Sequence, residues 1–403
     1  GLAWLVFKDK ELKIYNYNYV KVSIFFWISL ILISFFAEHK GSSFQDSIIF
    51  IRYLIIPICI YFLFFRENRN FNYLLLVILI LVILVSIDTI YQFFNYTSED
   101  GFGEDLLGFK SNWYGRLTGP FGNELIPGSY VSKFGIIGFV YLLINKFFRN
   151  KLFLKSIYLS LVIVVCFISG ERMAFSIFLL ALLILLFILE NNRLTIFIAI
   201  ILGLTSIFFI YKLHPFYNDY KIIESTEHHQ GLKIEKNFIC EYDNKKNCSK
   251  IISLQPSFIE IIKNFRTSAY GEIYLLSFEM FKNHPLTGIG MNNFKFLCEK
   301  QKKYKEMMVN YNCASHPHNI YIQWLTEGGI LVFIFFIIYQ IFLFRFIINN
   351  DGDKSFKIIS IVLIIILFWP IMSTGSLLKN WYGICIFFII GVSLCISRIK
   401  KNV

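Results

Sequence analysis

Along this chain long apolar runs alternate with short polar breaks. Runs long enough to cross about 30 Å of hydrocarbon cover Val20–Ala37, Ser47–Phe65, Phe71–Phe94, Ile126–Phe148, Leu152–Ser169, Met173–Leu189 and Leu194–Tyr211. After a long polar stretch come Ile320–Ile348, Phe356–Thr374 and Trp381–Ser397, the first of them long enough to extend beyond the bilayer. Leu2–Phe7 reads as the end of a further apolar segment, a truncated N-terminal helix. The pattern predicts an all-α polytopic membrane protein of about ten transmembrane helices plus that stub. It divides the chain into an N-terminal transmembrane bundle (1–211), a large loop with short helices (212–317) and C-terminal transmembrane helices (318–403).

Composition agrees. Of 403 residues 56% are hydrophobic and only 16% charged, where a soluble domain would carry roughly a quarter. The net charge of +12 is explained by placement and does not call for nucleic acid. Seventeen Lys and Arg fall in one alternating set of short loops, around Lys8–Lys21, Arg66, Lys146–Lys155, Arg193, Arg345–Lys357 and Arg398–Lys401. The other set holds five, namely Lys40, Lys110, Arg116, Arg172 and Lys379. Cations mark the cytoplasmic side, so the loop 212–317 is expected outside.

Several polar side chains then emerge on that external side. Arg116 stands in the Gly-rich loop running to Asn123, and Arg172 in the very short turn Ser169-Gly-Glu-Arg172. Arg52 and Lys133 lie within spans near the external end, where a charge is costly and usually faces an interior. In the external loop Thr267–Asn283 has the apolar spacing of an amphipathic helix with Arg266 near its start, and His284–Gly290 reads as a tight turn. Glu224–His229 matches no standard metal-ligand spacing. Cys240, Cys248, Cys298 and Cys313 share this segment, leaving three pairings open; Cys240–Cys248 would close a short loop.

The loop ends in Ser315-His316-Pro317-His318-Asn319, where the apolar helix begins. Asn319 is placed to cap that helix, and histidine suits proton transfer near neutral pH. A pair of surface histidines at a helix start is commonplace; the gathered arginines give this pair a context. Guanidinium groups hold phosphate by bidentate, charge-assisted bonds, and a diphosphate needs more than one. Arginines for a leaving diphosphate and a histidine for an acceptor hydroxyl are what a transferase using a lipid-linked diphosphate requires. No acidic cluster stands in an external loop to hold a divalent cation, so no metal or other cofactor is expected.

These motifs resemble the O-antigen ligase and polymerase superfamily of bacterial inner-membrane glycosyltransferases. The family pattern of His, then Asn, then nine residues and Gly is matched by His318, Asn319 and Gly329. Ser169–Arg172 is similar to the family's Ser-x-Ser-Arg turn, with Glu171 where a small residue is commoner. Arg266 with His284–Gly290, and Arg116 with Thr118–Asn123, match two further segments. The resemblance implies transfer of a glycan from undecaprenyl diphosphate to an acceptor, lipid A-core or another glycan, at the periplasmic face of the inner membrane. It implies His318 as base, with His316 second, and Arg172, Arg266 and Arg116 on the diphosphate; Asn319 and, as a charge within a span, Arg52 are expected in support. Ligation is favoured over polymerisation. A transporter of polysaccharide or lipid-linked substrates is the alternative of another class, and it would spread charges through the bilayer depth.

Overall fold

The computed structural model describes residues 17–64, 68–97, 101–111, 115–218, 232–234, 251–254, 263 and 265–400. Leu2–Phe7 lies outside the described residues, while the ten predicted spans each fall largely on helices. In chain order these are α1 (Asn18–Ser34), α2 (Lys40–Ile49), α3 (Ile51–Leu63), α4 (Asn68–Phe94), α5 (Pro127–Ile144), α6 (Leu152–Ile168), α7 (Arg172–Ile188) and α8 (Arg193–Leu213). The amphipathic α9 (Ala269–Asn283) precedes α10 (Ile320–Asn349), α11 (Lys354–Leu367) and α12 (Asn380–Ile396). Among the described residues five helices are long and apolar enough to cross a membrane: Lys40–Leu63, Asn70–Phe94, Pro127–Ile144, Glu190–Leu213 and Ile320–Asn349. Two short antiparallel strand pairs accompany them, Tyr96–Thr97 with Gly101–Phe102 and Leu232–Ile234 with Ile251–Leu254.

The described residues form two compact units, one from Gly1–Asn68 and Asn264–Val403, the other from Arg69–Lys263. In the first, α3 packs on α12, α1 and α9 pack on α10, and α11 packs on α12. Its core is aromatic. Trp324, fully buried, meets Phe26 at 5.3 Å and Phe50 at 5.6 Å in edge-to-face contacts, a geometry that aromatic quadrupoles favour. In the second unit α6 packs on α5, α7 and α8. Small residues allow close approach there, as in membrane helices generally. A Cβ on Gly138 would collide with the Tyr158 hydroxyl, which donates to the Gly135 carbonyl at 3.0 Å.

The helices depart from the hydropathy reading in two bounds and one interior break. The run predicted to start at Ser47 is helical from Lys40, because the polar turn Lys40–Asp46 has partners of its own. Ser34, Ser43 and Ser47 share hydroxyl hydrogen bonds of 2.9 Å, and Asp46 accepts from Asn292 Nδ2 at 2.8 Å. The run predicted to reach Thr374 stops at Leu367, and residues 368–379 continue without regular structure around Pro370 and Gly375.

The third difference lies inside α10. Gly329 takes φ 63° and ψ −172°, a conformation open to glycine, and interrupts the helix. The predicted turn His284–Gly290 is inserted at the break. Ile289 and Gly290 donate to the Thr326 and Glu327 carbonyls at 3.1 and 2.9 Å, while Ile330 and Leu331 donate to Pro285 and Leu286 at 2.9 and 3.3 Å. The loop thus takes over the four groups that would otherwise make two successive i→i−4 helical bonds. Gly288 and Gly329 face one another across this junction, each leaving no room for a Cβ. Two glycine motifs far apart in sequence serve one backbone joint.

Candidate functional site

The site-bearing end of α10 is built on its capping residue. Asn319 accepts from the Tyr321 and Ile322 amides at 3.0 and 3.1 Å, and its Nδ2 donates to the Pro370 and Met372 carbonyls at 2.7 and 3.2 Å. The predicted cap is present, and it also fastens residues 368–379. Tyr321 donates to the Phe368 carbonyl, the Thr374 amide donates to the His318 carbonyl, Gln323 donates to Ser376, and Tyr53 donates to the Leu378 carbonyl. Sequence reading took half of this ribbon for membrane helix. Its irregular backbone is what leaves carbonyls free to receive the histidine motif.

The two histidines are in contact and differ chemically. Their ring centroids are 4.1 Å apart. His316, 8% exposed, directs Nε2 to the Thr374 carbonyl at 3.1 Å and Nδ1 to Ser315 Oγ at 2.8 Å. A carbonyl accepts only, so Nε2 carries the proton and Nδ1 accepts from the serine. Burial, with the adjoining His318 and the positive Lys379, lowers the His316 pKa to about 4 against the pull of the Thr374 bond. His316 is therefore neutral with both nitrogens engaged. His318 sits at φ 55°, a backbone position uncommon outside glycine. It is half-buried, and its ring makes no hydrogen bond among the described residues. Burial lowers its pKa, so near pH 7 it is a neutral imidazole with a free lone pair.

Arg52 and Arg266 belong to the same unit. Arg52, exposed at the start of α3, donates to the Tyr53 hydroxyl at 2.7 Å and to Asn380 Oδ1, its guanidinium lying 4.6 Å over the Tyr53 ring. Arg52 and the histidines thus attach to one ribbon and its continuation into α12. Lys379 also stands there, exposed and near enough to disfavour a charge on His316. The motif reading used it only for topology. Arg266 is exposed in a single 3-10 turn before α9, without an ion pair among the described residues. Cys298 and Cys313 form a disulfide beneath α9. Cys240, Cys248 and Glu224–His229 fall outside the described residues.

Arg116 and Arg172 come together in the other unit. The Leu117 amide donates to the Ser169 carbonyl at 3.1 Å, and Gly170 packs on Arg116, which brings the two guanidiniums within electrostatic range. Arg116 Nε is buried without a hydrogen-bond partner. Glu171, the residue that departs from the family turn, caps α5. Its carboxylate accepts from the Gly128 and Ser129 amides at 2.8 and 3.1 Å and from the Ser129 hydroxyl. Burial raises its pKa, opposed by the Ser129 bonds and the charges of Arg116 and Lys133. Gln92 on α4 holds the Arg116 loop by accepting from the Thr118 and Gly119 amides at 3.0 and 2.9 Å.

Helices of this length and apolarity, many in one chain, define a polytopic α-helical membrane protein. Residues 157–337 match the family model described as O-antigen ligase, a match that supports the O-antigen ligase superfamily, which covers ligases and polymerases. Arg172, Arg266, His284–Gly290, His318 and Gly329 fall within the matched residues; Arg116 and Thr118–Asn123 precede them. No curated protein matches the chain.

Proposed function

We propose that the protein transfers a glycan from undecaprenyl diphosphate to a periplasmic hydroxyl acceptor, and that this acceptor is lipid A-core in lipopolysaccharide assembly. The observation that carries the reading is the contrast between the paired histidines. His316 is bonded at both nitrogens, and His318 keeps a free lone pair at the mouth of α10. His318 acts as general base. It takes the proton of the acceptor hydroxyl as that oxygen attacks the anomeric carbon, and the bond from that carbon to the diphosphate oxygen breaks. Undecaprenyl diphosphate departs with the bonding electrons. The charge that steadies it is assigned by the family resemblance to Arg172, Arg266 and Arg116. His316 packs against the His318 ring, Asn319 fastens the ribbon whose Thr374 amide donates to the His318 carbonyl, and Arg52 supports the start of α12 through Asn380. A disulfide supports placing residues 298–313 outside the cytoplasm, since such bonds persist in oxidising compartments. The site then faces the periplasm from the inner membrane.

The test is transfer in proteoliposomes from a labelled undecaprenyl-diphosphate glycan, with and without EDTA, and with His318→Ala beside the wild type. Label on lipid A-core, lost in the variant and kept in EDTA, is expected. Label in longer lipid-linked chains would assign the protein to the polymerases. Transfer undiminished in His318→Ala would refute His318 as base.

A further inference from the structure

Helix α9 brings to the histidines a side chain that no motif marks. Tyr270, in the first turn of α9, sets its ring edge-to-face with His318 at 6.0 Å between centroids and 79° between planes. Tyr274 lies 6.3 Å from it on the same helix, and Phe265 lies 6.0 Å from Tyr274. A row of rings therefore runs from the buried His316 through His318, Tyr270 and Tyr274 to Phe265, which is 41% exposed. The Tyr270 ring is 37% exposed, and Ser373 Oγ, on the ribbon that receives the histidines, donates to its hydroxyl at 3.1 Å. The neighbouring face of α9 is closed differently, Ile273, Leu276 and Met280 being buried in its apolar core. Tyr270 thus sits outside that core, partly exposed and held at its tip beside the candidate base.

A base must come within about 3 Å of the hydroxyl whose proton it takes. The sugar bearing that hydroxyl accordingly lies against His318, on the open side where Tyr270 stands. An aromatic face is electron-rich, and one face of a pyranose is a patch of C–H groups of slight positive charge. Stacking the two orients a sugar while leaving its hydroxyls free to react. The donor has its diphosphate and polyprenyl chain to anchor it; the acceptor sugar must be positioned through its own surface. We propose that Tyr270 is the stacking platform for the sugar ring of the acceptor glycan, setting which hydroxyl reaches His318. This rests on the transferase reading above. Holding the sugar in this way lowers the barrier by keeping the reactants in an attack geometry.

The experiment measures transfer in proteoliposomes with undecaprenyl-diphosphate glycan as donor and, in separate arms, lipid A-core or a lipid-linked repeat as acceptor. Tyr270→Ala, Tyr270→Leu, Tyr270→Phe and Tyr270→Trp are compared with wild type and His318→Ala. Leucine keeps apolar bulk on the helix but has no π face, so it decides the matter if the alanine variant does not fold. Alanine and leucine are expected to raise the acceptor KM by about tenfold, the scale of one aromatic contact. The donor KM and the acid limb of kcat against pH should not move, and phenylalanine and tryptophan should preserve the wild-type acceptor KM. A fall in kcat with a displaced acid limb and an unchanged acceptor KM would show that Tyr270 merely positions the His318 ring, and would overturn the proposal. A wild-type KM in Tyr270→Leu, with His318→Ala inactive, would overturn it while leaving the transferase reading intact. Activity retained in His318→Ala would remove both.

Discussion

Replacing Gly288 by alanine tests whether the break in α10 is made by the inserted loop. Gly288 has φ +65°, and a Cβ there would meet backbone on several sides: the Glu327 carbonyl carbon and the Gly329 nitrogen at 2.5 Å, with the Glu327 oxygen closer still. None of these is the end of a flexible side chain, so the loop must withdraw. Withdrawal removes the four cross-bonds among residues 285–290 and 326–331. It also allows Ile330 and Leu331 to bond Thr326 and Glu327 in regular helix, so the net loss is two hydrogen bonds, each worth about 0.5–1.5 kcal/mol. A left-handed alanine adds about 1–2 kcal/mol. The expected cost of Gly288→Ala is therefore about 2–5 kcal/mol. Gly108→Ala is the control, because Gly108 also has a positive φ, +84°, and nothing within 4 Å of its Cβ position; it should show the strain alone. Denaturant unfolding of both variants in detergent measures the difference. Equal destabilisation of the two would refute the inserted-loop account.

Other consequences follow from the same geometry. The folded pKa of His316, about 4, lies below the ordinary 6.5, so between these values the unfolded chain binds a proton that the folded one refuses. Its contribution is complete above pH 6.5 and is lost as pH falls toward 4, to a limit of about 3 kcal/mol. The unfolding midpoint of the wild type should fall more steeply from pH 7.5 to 5 than that of His316→Gln, and parallel slopes would tell against the buried neutral tautomer. Asn319→Ala should lose about 1–2 kcal/mol of capping and also free the ribbon at Pro370 and Met372. Asn319→Asp should keep the cap but set a buried carboxylate oxygen against the Pro370 and Met372 carbonyls, so its melting temperature should also fall below wild type. Joint replacement of Cys298 and Cys313 by serine opens a loop with a sequence separation of 15, for which chain entropy predicts about 3 kcal/mol; denaturant unfolding of reduced and oxidised wild type should show the same gap.

Hydropathy and local chemistry were enough for the helices, for the N-cap at Asn319, for the amphipathic α9 and for the residues that mark the superfamily. These features depend on a residue and its near neighbours along the chain: apolar period, charge in a short loop, a capping side chain before an apolar run. Tertiary structure alone decided the rest. Lys40–Asp46 is helical because its polar groups find partners in Met291 and Asn292, far from it in sequence. The stretch 368–379 is a ribbon because Asn319, Gln323 and His316 need its carbonyls and hydroxyl. Gly288 and Gly329 are required by one another, each leaving space that the other's backbone occupies. Nor does the order of His316 and His318 tell which keeps a lone pair, since that depends on where the Thr374 carbonyl arrives. Hydrophobic period is a local sum that the chain carries in its order, whereas hydrogen-bond satisfaction and backbone contact exist only once distant segments meet.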